Sequence, residues 1–209
     1  MGDLARPDLL GGKDQAKEAA KQYCHTIQDK LLFRLPDHIE VFPTHDAFSV
    51  RTTGSPWIGT VGASTGRVIA MVAPRNGKHT MGAYNWAQVL RHEFTHTVSL
   101  SATDNRIAHW MTEGLAVLAE EGPLRWDWVP MLYRAVKTGE LFSMDELTWA
   151  FVRPKKPHHR SLAYAQSAWV CQYIEEKWGH DAILRMMAQF KQGKTQDRVF
   201  LDVLKTKPF

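Results

Sequence analysis

Cysteine is scarce in this sequence: Cys24 and Cys171 are the only two in 209 residues. Two thiols cannot build a disulfide framework and lack the spacing of a cysteine zinc site. A single bridge between them stays open, and with it the redox compartment. Long apolar runs are missing as well. No stretch reaches the roughly 18 residues a membrane span needs, and residues 1–6 carry neither an apolar signal region nor the Ser or Thr of a myristoylation motif. The chain is therefore expected to be soluble, in a compartment the sequence does not specify. Runs of one charge are also few, because the net charge of +4 is spread along the chain. That pattern gives no track for a phosphate backbone, and no nucleic-acid partner is expected. The exception is Arg153-Pro154-Lys155-Lys156-Pro157-His158-His159-Arg160, whose mixture of proline and charge reads as a solvated loop. Finally, no Asp or Glu occurs between Arg51 and Gln88.

What is present is an ordinary globular balance, 44% hydrophobic and 23% charged, in a chain long enough to bury a core. Ala16, Ala19, Ala20, Tyr23, Ile27, Leu31 and Phe33 recur near helical spacing over residues 14–35, before Pro36. Short β-favouring runs follow at Ile39-Glu40-Val41-Phe42, Trp57-Ile58-Gly59-Thr60-Val61 and Arg67-Val68-Ile69-Ala70-Met71-Val72, with a short helix over 44–50 capped by Thr44. After the Asn76-Gly77 turn the chain reads as helical, at about 83–101, 107–121, 127–138, 161–178, 180–191 and 196–204, with a capping box at Ser143-Met144-Asp145-Glu146. No repeat or long linker divides it. The expectation is one α+β domain over 1–209, with a helix and β-rich part over 1–80 and a helical part over 81–209. The chemistry should lie where the two meet.

The informative residues are His92-Glu93-Phe94-Thr95-His96. Positions i and i+4 of a helix project from one face a turn apart, so two imidazoles at this spacing can share one tetrahedral ion. Trp86, Leu90, Phe94 and Val98 recur every four residues and read as the buried stripe of the same helix, with the histidines on the opposite side. Two surface histidines flanking a glutamate would look the same, so a third ligand is required. Glu113 supplies one, seventeen residues after His96 in Trp110-Met111-Thr112-Glu113-Gly114-Leu115-Ala116. That separation lets the first helix finish, a loop over 101–106 reverse the chain, and a second helix return Glu113 to the histidines. Glu120 lies two turns further on the same face, either hydrogen-bonded to the free ring nitrogen of a ligand histidine or solvated.

Arg91-His92-Glu93-Phe94-Thr95-His96, followed by Trp110-x-x-Glu113-Gly114-Leu115-Ala116 and Glu120, resembles the gluzincin or MA-clan metallopeptidases, in particular the peptidase MA-like domains. The similarity continues in Tyr164-Ala165-Gln166-Ser167-Ala168-Trp169 and Tyr173-Ile174-Glu175-Glu176-Lys177-Trp178-Gly179, and is specific only over the two helices that would hold metal. The resemblance implies a zincin-like fold, with a small N-terminal mixed sheet packed on the helical part and the active-site helix at their junction. It implies Zn²⁺ held by His92, His96 and Glu113, and a water activated by the metal and deprotonated by Glu93 for attack on a peptide carbonyl. By position, Tyr164 would donate to the developing oxyanion, with His109, His158 and His159 as substitutes. An edge strand would pair with the substrate backbone, and the candidate is Thr65-Gly66-Arg67-Val68-Ile69-Ala70-Met71-Val72-Ala73. In the aminopeptidase branch that strand ends in an acidic residue, absent here, so endopeptidase action is expected.

The eight tryptophans are scattered over many elements and read mostly as packing residues, with Trp126 and Trp128 near a cleft rim. Phe200-Leu201-Asp202-Val203-Leu204 forms an apolar helical side with little sequence after it to pack against, which suggests a fused or neighbouring domain. The expected partner is a peptide or protein substrate. Two rivals remain: a catalytically silent zinc-containing domain that binds peptides, and a metal hydrolase acting on a non-peptide amide or ester.

Overall fold

The computed structural model describes residues 38–74, 84–120 and 125–208. The helix expected over 14–35, Cys24 and the Asn76-Gly77 turn lie outside the described residues. Val68-Ile69-Ala70-Met71-Val72 is apolar throughout, so it can be covered on both faces, and it forms the middle strand of a three-stranded mixed sheet. This strand, β3 (Val68–Val72), pairs in parallel with β1 (His38–Phe42) and antiparallel with β2 (Gly62–Ser64). Ala70 and Val72 pack against the buried Phe48 of α1 (His45–Thr53), whose amino end is capped by Thr44 accepting from Ala47 at 3.2 Å.

Two expectations for this region are corrected. The strand read as the free edge is the central one, because its apolar residues gain burial from neighbours on both sides. The run Trp57–Val61 is a loop, and the strand beside it begins only at Gly62. Loop polar groups bond elsewhere: the Thr60 carbonyl accepts from His45 Nε2 at 3.0 Å, while the Thr60 hydroxyl bonds the Gly62 carbonyl, also at 3.0 Å.

The remainder is helical, which makes the class α+β as expected. In order come α2 (Trp86–Ala102), α3 (His109–Ala119), α4 (Trp128–Thr138), α5 (Met144–Val152), α6 (His159–Trp178), α7 (His180–Lys191) and the short α8 (Gln196–Val199). Both halves of the capping box at Ser143 and Glu146 are made, and Gly139 ends α4 in the left-handed conformation. The main core joins Trp110 and Met111 of α3, Leu147 of α5, Ile174 of α6 and Met186 of α7. Chain continuation past α8 forms a π-helical turn, Phe200–Leu204, with Phe200, Val203 and Leu204 buried in this core. Three of the four apolar residues that the sequence left without a partner are thus covered by the chain itself, while Leu201 stays exposed to 50%.

The tryptophans also differ from expectation. Trp110 and Trp128 are buried, but Trp57, Trp86, Trp126, Trp149 and Trp169 are exposed, Trp126 to 88%. The inner helix faces are filled by smaller residues such as Ala163, Ala165, Ala168 and Ala182, which allow helices to approach too closely for an indole. Closest of all is Gly114. A side chain there would collide with the Ser167 carbonyl and lie 2.7 Å from Cys171 Sγ, so glycine sets the spacing of α3 and α6. Cys171 is buried at this contact and is not in a disulfide among the described residues.

Candidate active site

Helix α2 runs between the sheet and α3, and it is turned opposite to its apolar pattern. Trp86 is exposed and Leu90, Phe94 and Val98 are half-buried, whereas Glu93, His96, Thr97 and Ser99 form the buried face. Burying polar groups is costly unless they are paired, and here most are. Thr97 Oγ1 lies 3.0 Å from Ser64 Oγ of β2, and Ser99 Oγ lies 2.6 Å from Thr112 Oγ1 of α3.

Successive turns of α2 present His92 and His96, and α3 returns Glu113 to them. His92 Nε2 and His96 Nε2 are 3.1 Å apart, and Glu113 Oε2 lies 3.5 Å from the one and 3.4 Å from the other. A tetrahedral ion with bonds of about 2.0–2.1 Å spaces its ligand atoms by about 3.3–3.4 Å, so the triangle has the size of one face of such a coordination sphere. Glu113 Oε2 is buried with no hydrogen-bond donor among the described residues. Two imidazole nitrogens and a carboxylate oxygen form a donor set suited to zinc, and these three residues can hold a metal ion.

The atoms facing away from the triangle are held in turn. His92 Nδ1 is 2.8 Å from Glu120 Oε1, and Glu120 Oε2 accepts from Gln88 Nε2 at 2.9 Å. His96 Nδ1 is 2.9 Å from Thr112 Oγ1, and Glu113 Oε1 is 3.1 Å from His109 Nε2. With each Nδ1 engaged outward, the Nε2 atoms are left to point at a common centre. Burial draws the His92 pKa down, but the carboxylates of Glu113, Glu120 and Glu93 around the ring outweigh it and lift it to about 10. Burial acts upward on Glu113, and the hydrogen bond from His109 together with the imidazoles of His92 and His96 beside Oε2 more than reverses it, holding the carboxyl well below its usual range.

Glu93 points into the same cleft, 6% exposed, and burial raises its pKa against the opposing pull of both histidines. Strand β2 crosses directly over it. A side chain at Gly62 would begin 2.7 Å from Glu93 Oε1 and 2.7 Å from Val89 Cγ1, so only glycine lets strand and helix approach this closely. Tyr164 comes from α6, its ring 6.4 Å from that of His92, stacked on Trp128 and edge-on to Phe151. Burial pushes its pKa upward, which keeps the phenol a proton donor, and its hydroxyl makes no hydrogen bond among the described residues. His158 and His159 stand apart from the cleft, His159 edge-on to Phe142.

The cleft has a volume of about 1270 Å³ and is walled by residues 58–65 on one side and by α2, α3 and the start of α6 on the other. Thr65, Val68 and Ala70 of the segment expected to line the cleft do line it, but the edge strand at this wall is β2, since β3 lies in the middle of the sheet. Trp128 lines the cleft and Trp126 does not. Sequence reasoning brought together His92, Glu93, His96, Glu113, Glu120 and Tyr164, which do converge. It missed Thr112, Gln88, Gly62 and the role of His109 as a partner of Glu113. The one available signal was adjacency, since Thr112 precedes Glu113 in the second motif.

Comparison with known proteins returns no match among curated proteins or solved structures. A family model described as the Peptidase MA superfamily matches residues 54–205, which span β2, β3 and every helix from α2 onward. The chain belongs to the Peptidase MA superfamily.

Proposed function

We propose that the protein is a zinc-dependent metallopeptidase of the gluzincin type, more an endopeptidase than an aminopeptidase. The observation that carries this reading is the triangle of His92 Nε2, His96 Nε2 and Glu113 Oε2, sized for a tetrahedral ion, with the Glu93 carboxylate buried beside it. His92, His96 and Glu113 would hold the ion, with Glu120 and Thr112 fixing the two rings. Bound zinc supplies Lewis acidity, polarising a water and a substrate carbonyl.

The remaining work falls to side chains. Glu93 takes a proton from the attacking water and passes it to the leaving amine; its raised pKa brings it nearer to working pH, where a base also serves as the returning acid. Tyr164, kept protonated by burial, donates to the oxygen that gains charge as the carbonyl is attacked. Trp128 and Phe151 hold its ring at that end of the cleft. The open cleft has room for an extended chain, and β2 places no acidic side chain where it would grip a free amine, which favours cleavage within a chain.

The test is cleavage of an unfolded protein by wild type and by Glu93→Gln, with zinc content measured on both. The expected result is one zinc per chain in each and cleavage lost by at least about 10²-fold in the variant. Stoichiometric zinc without cleavage in wild type would replace this reading with a peptide-binding domain.

A further inference from the structure

Three arginines line the cleft: Arg51, Arg125 and Arg160. Two are neutralised locally, since Arg51 pairs with Glu40 at 3.4 Å and Arg125 pairs with Asp127 at 2.9 Å. Arg160 has no carboxylate partner among the described residues. Its side chain is nonetheless anchored, because Nε donates to the Phe151 carbonyl at 3.2 Å and directs the guanidinium across the cleft. There Nη1 lies 3.9 Å from the point where a Gly59 side chain would begin, so Arg160 of α6 reaches the loop that forms the opposite wall. With Nε occupied, Nη1 and Nη2 remain without a protein acceptor among the described residues, and they are a pair that a carboxylate can engage in a two-pronged hydrogen bond. The backbone anchor also limits the rotamer entropy lost on binding.

Position adds to the chemistry. Arg160 lies four residues before Tyr164 on the same helix, about 6 Å along its axis, which is about two residues of an extended peptide. Of the cleft carboxylates, Glu40 is taken up by Arg51, and Glu93, Glu113 and Glu120 surround the metal triangle, so none of them is paired with Arg160.

We infer that Arg160 is a specificity-determining residue that selects substrates with an acidic side chain about two residues from the scissile bond. Selection of this kind rests on the peptidase reading for its catalytic consequence, but the recognition itself can be measured without turnover. The probes are internally quenched peptides of Ala, Leu and Gly bearing a single Glu, Gln or Lys at each position around the cleavage site. Cleavage is followed as kcat/KM with wild type, and binding as fluorescence anisotropy with Glu93→Gln, at low and at high ionic strength. The expected preference for Glu over Gln is about tenfold at low salt and falls as salt rises.

Arg160→Glu should reverse the order to Lys over Gln over Glu, and Arg160→Gln, the milder change should the first misfold, should level it. Cleavage with equal rates for Glu and Gln peptides would overturn the role of Arg160 and leave the peptidase standing. Absent cleavage, a Glu preference in binding that reverses in the Glu93→Gln, Arg160→Glu double variant would support Arg160 and remove the peptidase. Neither cleavage nor charge-dependent binding would overturn both.

Discussion

Gly62 contributes to the candidate site by having no side chain. Its place over the Glu93 carboxylate means that Gly62→Ala must push either the base or the strand aside. A displacement near 1 Å costs about 10²-fold in turnover, so kcat should fall by that order while zinc stoichiometry, read by emission spectroscopy, stays at one per chain. Thr112 works in the opposite way, through what it donates and accepts. Thr112→Val removes the Nδ1 partner of His96 and leaves Ser99 without its 2.6 Å contact. Zinc affinity, measured by competition with a chromophoric chelator, should weaken by about 10–100-fold. Neither residue was legible as functional in the sequence, because glycine and threonine carry no signature of metal chemistry. His92 and His96 were, because i, i+4 spacing on one helix makes them converge, and Glu113 was, because its separation from His96 leaves room for a loop and a second helix to return it.

Among the elements, the pairing of α3 with α6 is the closest contact. Gly114→Ala would drive a methyl group into the Ser167 carbonyl, which is backbone and cannot swing away, and against Cys171 Sγ at 2.7 Å. The expected loss is about 1–3 kcal/mol of stability in urea unfolding, with weaker zinc binding as a consequence, since Glu113 sits on the same turn. Helix identities were readable because their capping and periodicity are local, as the Ser143 capping box and the 180–191 helix illustrate. The orientation of α2 was not. Its every-fourth apolar stripe suggests one buried face, yet Glu93, His96, Thr97 and Ser99 are the buried ones, since their partners Ser64 and Thr112 come from elements distant in sequence.

For the whole molecule, a metal held between α2 and α3 would tie the helix that packs on the sheet to the helix that carries Trp110 and Met111 of the core. Zinc at about 1,000 times its dissociation constant adds about 4 kcal/mol, so chelation should lower the thermal midpoint and zinc should restore it. The same site gives a pH signature. In chelated protein the His92 pKa stands at about 10 against an ordinary 6.5, so its proton stabilises the fold fully below pH 6.5 and that contribution is lost as pH rises through about 10. The chelated thermal midpoint should therefore fall between pH 7 and pH 10.5 more in wild type than in His92→Gln. Zinc binding at neutral pH should release about one proton, seen as a calorimetric enthalpy that scales with the ionisation enthalpy of the buffer.

The sequence by itself determined the α+β class, most helices, and the set His92, Glu93, His96 and Glu113, because these depend on helical period, capping and local spacing. Tertiary structure decided which strand lies in the middle, which face of α2 is buried, and that Phe200, Val203 and Leu204 close the core. It also brought Arg160, part of a run that reads as a solvated loop, across the cleft to Gly59. Each of those outcomes depends on a partner far away along the chain, and burial goes to whichever face finds its apolar or hydrogen-bonding complement there.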